Sequence, residues 1–223
     1  MTSVWFVTPA WQRFELTAVC LDQRLAVIAD DANLDLARER GFDTVERDNE
    51  WLGRRFNDGM EYAGRNGADW IVPIGSDSWI DPAYFVPLLA PGYIRTSGLY
   101  CAVTAERMAE LKVRSGRGAG PYVFNRDHLA PSGFRPAQDD LRKGIDGSTI
   151  RGVGQANWRW RNLHPFQYIG FRGNPHITSY GKLHKRWGVR EHDDPWAILA
   201  KHYPAELVER ARMALAQPER VAA

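Results

Sequence analysis

Cysteine is scarce in this 223-residue chain: Cys20 and Cys101 stand alone in apolar settings, without metal-ligand spacing. That excludes a disulfide scaffold or a Cys-based metal site and predicts two reduced, packed thiols. No run approaches the roughly 20 apolar residues of a membrane span. The opening Met1–Trp11 has no basic region or long apolar core, and Pro9 interrupts it, so no signal peptide is expected and the location is read as cytoplasmic. Charge excess is missing too: 29 Lys and Arg against 27 Asp and Glu leave +2, which excludes a whole-chain polyelectrolyte but not a local basic face.

Aromatic residues are plentiful, with nine Trp, eight Tyr and nine Phe. They fill cores or form stacking surfaces, and composition alone does not choose between the two. The order of apolar runs says more. Val4–Val7, Leu25–Ala29, a brief strand at Val45 and Asp69–Ile74 read as strands. Phe14–Leu21, Leu34–Gly41 and Trp51–Gly64 read as the helices between them, the last with Leu52, Phe56, Met60 and Ala63 on one face. Such alternation predicts a parallel sheet with ligands beyond the carboxyl ends of its strands, where Thr8, Asp30, Asp31 and Asp77 fall. Further on, Tyr93–Val103 and Tyr122–Phe124 are expected as strands, Glu106–Val113 as a short helix, and two helices close the chain, the last over Ala205–Leu215.

An isolated Gly75-Ser76-Asp77-Ser78 is ordinarily a turn whose Asp bonds its own backbone. Its context is less ordinary. The run from Asp48 to Pro82, with Asn49, Leu52-Gly53, Asn57, Gly59, Ala63, Ala68-Asp69, Ser76-Asp77, Trp79 and Pro82, resembles the donor-binding half of GT-A glycosyltransferases, in particular glycosyltransferase family 2. Val7 to Arg13 is similar to that family's first strand and nucleotide loop, Asp30-Asp31 to the acidic end of its second strand, and Tyr122 to Phe134 to its acceptor segment. The likeness covers about residues 4–150 and extends to small glycosyltransferase-like proteins encoded by bacteriophages. It implies an α/β fold of the GT-A, Rossmann-like kind: a mostly parallel sheet flanked by helices, with a mixed C-terminal acceptor region. One domain over 1–223 is expected, with residues 1–90 as the nucleotide-sugar half and 91–223 as the acceptor half.

The resemblance implies a metal-assisted, inverting transferase that moves a sugar from a nucleotide-sugar, by family frequency a UDP-sugar, to an acceptor hydroxyl. Donor-binding residues would be Thr8, Pro9, Arg13, Asp30, Asp31, Asn49, Gly53, Asn57, Ser76 and Asp77. Asp77 would hold Mn²⁺ or Mg²⁺, with His164 or His176 as a further ligand; the family's turn usually has two or more acids where this one has Asp77 alone. The catalytic base would be Asp146, with Arg151 five residues on but Ile145 in place of the usual Glu, or Asp140 in the Asp139-Asp140 pair. Either is also an ordinary helix N-cap. Arg54 and Arg55 either reach the diphosphate or are solvated.

Between Gly147 and Arg190 there is no acidic residue, against eight Lys and Arg with seven interleaved aromatics. This asymmetry fits an anionic partner or a solvated basic face, and leaves the acceptor as a virion protein or a modified base in DNA. Two other readings stay open: a sugar-nucleotide nucleotidyltransferase, and a catalytically inactive GT-A-like module that binds nucleic acid or a protein.

Overall fold

The computed structural model describes residues 2–10, 24–29, 31–80, 93–113, 122–143, 145–153, 158–163, 166–171, 180–181, 185 and 188–216. The expectations for Arg13, Cys20, Asp30, His164, His176, the helix over Phe14–Leu21 and most of the basic 147–190 segment fall outside these residues or concern side chains that are not described.

Strands β1 (Val4–Pro9), β2 (Arg24–Ala29), β3 (Asp43–Glu46) and β4 (Trp70–Pro73) pair in parallel in the order β3-β2-β1-β4. Helix α1 (Asp31–Glu39) follows β2, and α2 (Leu52–Arg65) runs from β3 back towards β4. Alternation along β1 sends Val4 and Phe6 to one face, with Val27, Leu34 and Val72, and Trp5 and Val7 to the other, with Ile28, Met60, Ala63 and Ile71. Both faces are covered, so these strands read as continuous apolar runs. Gly59 lies where a Cβ would collide with Val7 and Ile28, and its lack of one lets α2 settle onto the sheet.

The sheet continues beyond β4 through β8 (Tyr122–Asn125) and β6 (Tyr93–Val103) to β7 (Met108–Val113) and the edge strand β11 (Gly188–His192), all antiparallel. The long β6 also carries β9 (Trp158–Leu163) and β10 (Tyr168–Phe171) in parallel, and β10 pairs with the three-residue β5 (Ser78–Ile80). Helices α3 (Arg126–Leu129), α4 (Ile145–Val153), α5 (Pro195–Leu199) and α6 (Ala205–Ala216), with a 3-10 turn over Ala130–Ser132, complete the described elements. The last two cover a third cluster built from Trp79, Cys101, Val103, Ile169 and Phe171. Among the described residues no helix is long and apolar enough to cross a membrane.

Two local expectations change. The segment 106–113 is not a helix: a turn whose Thr104 hydroxyl accepts from the N–H groups of Glu106 and Arg107 folds it back onto β6. Met-Ala-Glu-Leu-Lys has good helix formers, but pairing with β6 and burial of Met108, Ala109 and Leu111 override that propensity. Strand β1 also runs on through Thr8 and Pro9. Its pairing with β4 ends at Val7, so Pro9 faces β2 alone, where a missing N–H is tolerated. Cys101 is a buried free thiol, and burial, the dominant influence, pushes its pKa up to about 12, consistent with an inert packed side chain.

Candidate functional site

Because β1 to β4 are parallel, Pro9, Ala29, Glu46 and Pro73 end on one edge of the sheet. That edge gathers Thr8 and Pro9 from β1, Asp31 at the start of α1, exposed Asn49 after β3, and Ser76 and Asp77 after β4. Four chain segments far apart in sequence thus end on one rim, and topology rather than any motif brings them there.

Asp77 is half-buried in a turn closed by the Ser78 N–H donating to the Gly75 carbonyl at 3.1 Å. The Ser78 hydroxyl donates to Asp77 Oδ1 at 3.0 Å and accepts from the Tyr168 hydroxyl at 3.3 Å. The Phe171 N–H donates to the Asp77 carbonyl at 2.8 Å, which ties the turn to β10. Among the described residues no group of three or more His, Cys, Asp or Glu side chains is arranged to hold a metal ion. With one carboxylate in the turn, the donor set suits an ion that takes its remaining oxygen ligands from a bound diphosphate and water, as Mg²⁺ and Mn²⁺ do.

Thr8 is fully buried, and its hydroxyl has no hydrogen-bond partner among the described residues. A buried orphan hydroxyl costs about 1–3 kcal/mol, so its persistence at the rim is an observation that favours a ligand. Thr8→Val is nearly isosteric. It should raise the melting temperature of the ligand-free protein and reduce the stabilisation given by any ligand that bonds the hydroxyl, both read in one thermal-shift series.

Several expected site residues have other partners. Arg55 neither reaches outward nor is solvated: it is buried, and its guanidinium donates to the carbonyls of Ala10 and Ile28 (the latter at 2.7 Å), at the ends of β1 and β2. It brings a positive charge to the rim that sequence reasoning left undecided, although its place on α2 beside Phe56 and Met60 was a usable signal. Asn57 is not directed at a donor. Its amide nitrogen donates to the Ala137 carbonyl at 2.7 Å and to Asp139 Oδ1 at 2.8 Å, and its oxygen accepts from the Ala137 N–H at 3.0 Å. Gly53 has a packing role as well. A Cβ there would collide with the Gln138 carbonyl, and the Gly53 and Arg54 N–H groups donate to the carbonyls of Leu141 and Asp139. The first turn of α2 is therefore capped by the 139–141 backbone.

Sequence reasoning missed an ion cluster beneath that segment. Arg135 donates to Asp58 at 2.7 Å, to Glu61 at 2.8 Å and to both oxygens of Asp139 at 2.9 and 3.1 Å; Arg47 pairs with the buried Asp58 at 2.5 Å. Burial by itself would raise the Asp139 pKa, but the hydrogen bonds from Asn57 and Arg135 and the charges of Arg135 and Arg54 outweigh it and hold the carboxyl below its ordinary value. Asp140, beside it, is exposed and accepts from the Gln138 amide at 2.7 Å. Asp146 falls on the second residue of α4.

No protein-family model matches the chain, and no curated protein sequence matches it either. Solved structures do. Staphylococcus aureus TarS 1–349 superposes with a TM-score of 0.54 at 12% identity, over 76% of this chain and 60% of that one. The same TarS piece in complex with UDP gives 0.53 at 11% identity, over 77% and 60%. The fold is of the GT-A type. The chain spans about three fifths of the length of the TarS piece. A mannosyltransferase from Pyrobaculum calidifontis, PcManGT, in complex with GDP-Man and Mn²⁺, has a TM-score of 0.47 at 15% identity, over 96% of this chain and 74% of that one. In a GT-A chain the rim of Thr8, Asp31, Asn49 and Asp77 is the carboxyl edge of the parallel half, where open α/β sheets bind ligands.

Proposed function

We propose that this chain is a glycosyltransferase that takes a sugar from a nucleotide-sugar, a UDP-sugar first among them, and joins it to an acceptor hydroxyl. The observation that carries the reading is the polar rim on a GT-A sheet, with its buried Thr8 hydroxyl that has no partner among the described residues. The similarity to a protein solved with UDP supports the choice of nucleotide. In this reading residues 1–90 form the donor half and 91–223 the acceptor half.

Thr8, Pro9, Asp31 and Asn49 bind the nucleoside, and Asp77 faces the diphosphate. A divalent ion between Asp77 and the diphosphate would offset the charge that builds on the leaving oxygen. The acceptor oxygen attacks the anomeric carbon from the side opposite the diphosphate. The new C–O bond forms as the bond to phosphate breaks, the nucleoside diphosphate leaves with the electron pair, and the hydroxyl proton passes to Asp146. Direct displacement of this kind inverts the anomeric centre. Asp140 is the weaker candidate base, since its carboxylate already accepts from Gln138 in an exposed loop.

The test is a thermal-shift panel of UDP, GDP and dTDP, with and without Mn²⁺, on the wild type and Asp77→Ala. A nucleotide at about 100 times its Kd adds about 2.7 kcal/mol, which for a chain of this size is roughly 5–10 °C. UDP with Mn²⁺ should give that shift and Asp77→Ala should lose most of it. A panel without any shift would overturn the reading and turn attention to the basic 147–190 segment as a binding surface.

A further inference from the structure

The segment from Phe134 to Leu141 lies between two helices that sequence reasoning did not connect. On one side it meets α2, through Asn57, the close approach at Gly53 and the cluster of Arg135 with Asp58 and Glu61. On the other it meets α4: the Gln138 N–H donates to the Ser148 hydroxyl at 2.7 Å, and Gly152 lies where a Cβ would collide with the Pro136 carbonyl. Its entry is held in an uncommon conformation, with Gly133 and Phe134 both left-handed at φ 63° and 64°. A non-glycine residue there is costly and persists only where its surroundings over-determine it. Here the Phe134 ring fills the space left by Gly64 on α2, and Arg135 is thereby presented to three carboxylates.

We infer that this segment is a strap that sets α4, and with it the position of Asp146, against the donor-side helix α2, and that Asp139 is its positioning residue rather than a base. Asp139 fastens the strap to α2, next to the Gln138 N–H that holds α4: one of its oxygens takes hydrogen bonds from both Asn57 and Arg135, and its own carbonyl caps α2. An aspartate engaged by a guanidinium, an amide and the first turn of α2 cannot also turn to an acceptor hydroxyl. The role in turnover rests on the glycosyltransferase reading; the mechanical role does not.

Amide hydrogen exchange on Asp139→Asn tests the mechanical role without any ligand. Protection over 149–153 in α4 should fall at least tenfold, with β1, β2, β4 and the second half of α2 unchanged. Ser148→Ala, which cuts the α4 side and leaves the ion cluster alone, should reproduce the selective loss. Unchanged α4 protection would overturn the inference. So would a uniform loss everywhere, because Asp139 would then serve global stability only.

The role in turnover is read from UDP-glucose hydrolysis with Mn²⁺ and UDP calorimetry. Asp139→Asn should lower kcat at least tenfold with KM and the UDP Kd within about threefold. Combined with Asp146→Asn it should cost no more than Asp146→Asn alone, as expected of a residue acting through another. Additive losses would overturn the positioning role. A wild type that neither binds UDP nor hydrolyses the sugar nucleotide defeats the glycosyltransferase reading, and the exchange result then decides the strap by itself.

Discussion

Trp79→Ala should lose about 3–5 kcal/mol of stability, the cost of emptying a large aromatic site, and a UDP-induced thermal shift with it. Trp79 is 1% exposed, packs edge-on to Phe171 with ring centroids 4.7 Å apart, and meets Tyr203 at 5.7 Å. It stands two residues after Asp77 and pairs with Ile169, so one side chain anchors β5, β10 and the C-terminal helices beneath the turn. Truncation leaves a cavity where these elements meet, and the Asp77 carbonyl's bond to Phe171 loses its support. Urea unfolding measures the first effect and the thermal-shift panel the second. A cost below about 1 kcal/mol would mean that the cluster collapses around the gap and that the turn does not depend on it.

Arg135→Met should be nearly as costly, at about 2–4 kcal/mol, because it leaves Asp58, Glu61 and Asp139 facing one another without their common cation. Arg47 on Asp58 and Arg65 on Glu61 keep the figure below that of a fully isolated buried charge. Acid should separate the two proteins. In the wild type the native state holds the Asp139 carboxyl below its ordinary pKa, so its contribution is fully present above about pH 4 and is lost as pH falls through the depressed native value. In Arg135→Met the Asn57 hydrogen bond stays but the hydrogen bond and charge of Arg135 are gone, so the depression shrinks and protonation also relieves repulsion. The stability gap between wild type and variant should therefore narrow between pH 6 and pH 3. Urea midpoints across that range check it; a constant gap would show that the ion cluster does not couple to the Asp139 proton.

The parallel half of the molecule was legible in the residues. Short apolar runs ending in Thr8-Pro9, Asp30-Asp31 and Gly75-Ser76-Asp77 predict buried strands with polar carboxyl ends, and the 3.6-residue period of 52–63 predicts the helix that crosses them. Buried strands and amphipathic helices write their periods directly into sequence, because each position's environment repeats along its own element. The 106–113 segment failed for the opposite reason: its burial is set by a partner strand, β6, and not by its own pattern.

The candidate site divides along the same line. Local sequence determined which polar residues end the parallel strands and that Asp77 sits in a turn. Only tertiary structure decided that Asn57 and Gly53 hold a distant segment, that Arg55 is buried against two carbonyls, and that Arg135 joins three carboxylates from α2 and Asp139. A side chain's partner 27 to 82 residues away leaves no period and no spacing in the chain. The same Arg or Asn reads as solvated, catalytic or structural until the backbone brings that partner within about 3 Å, the range in which a hydrogen bond exists at all.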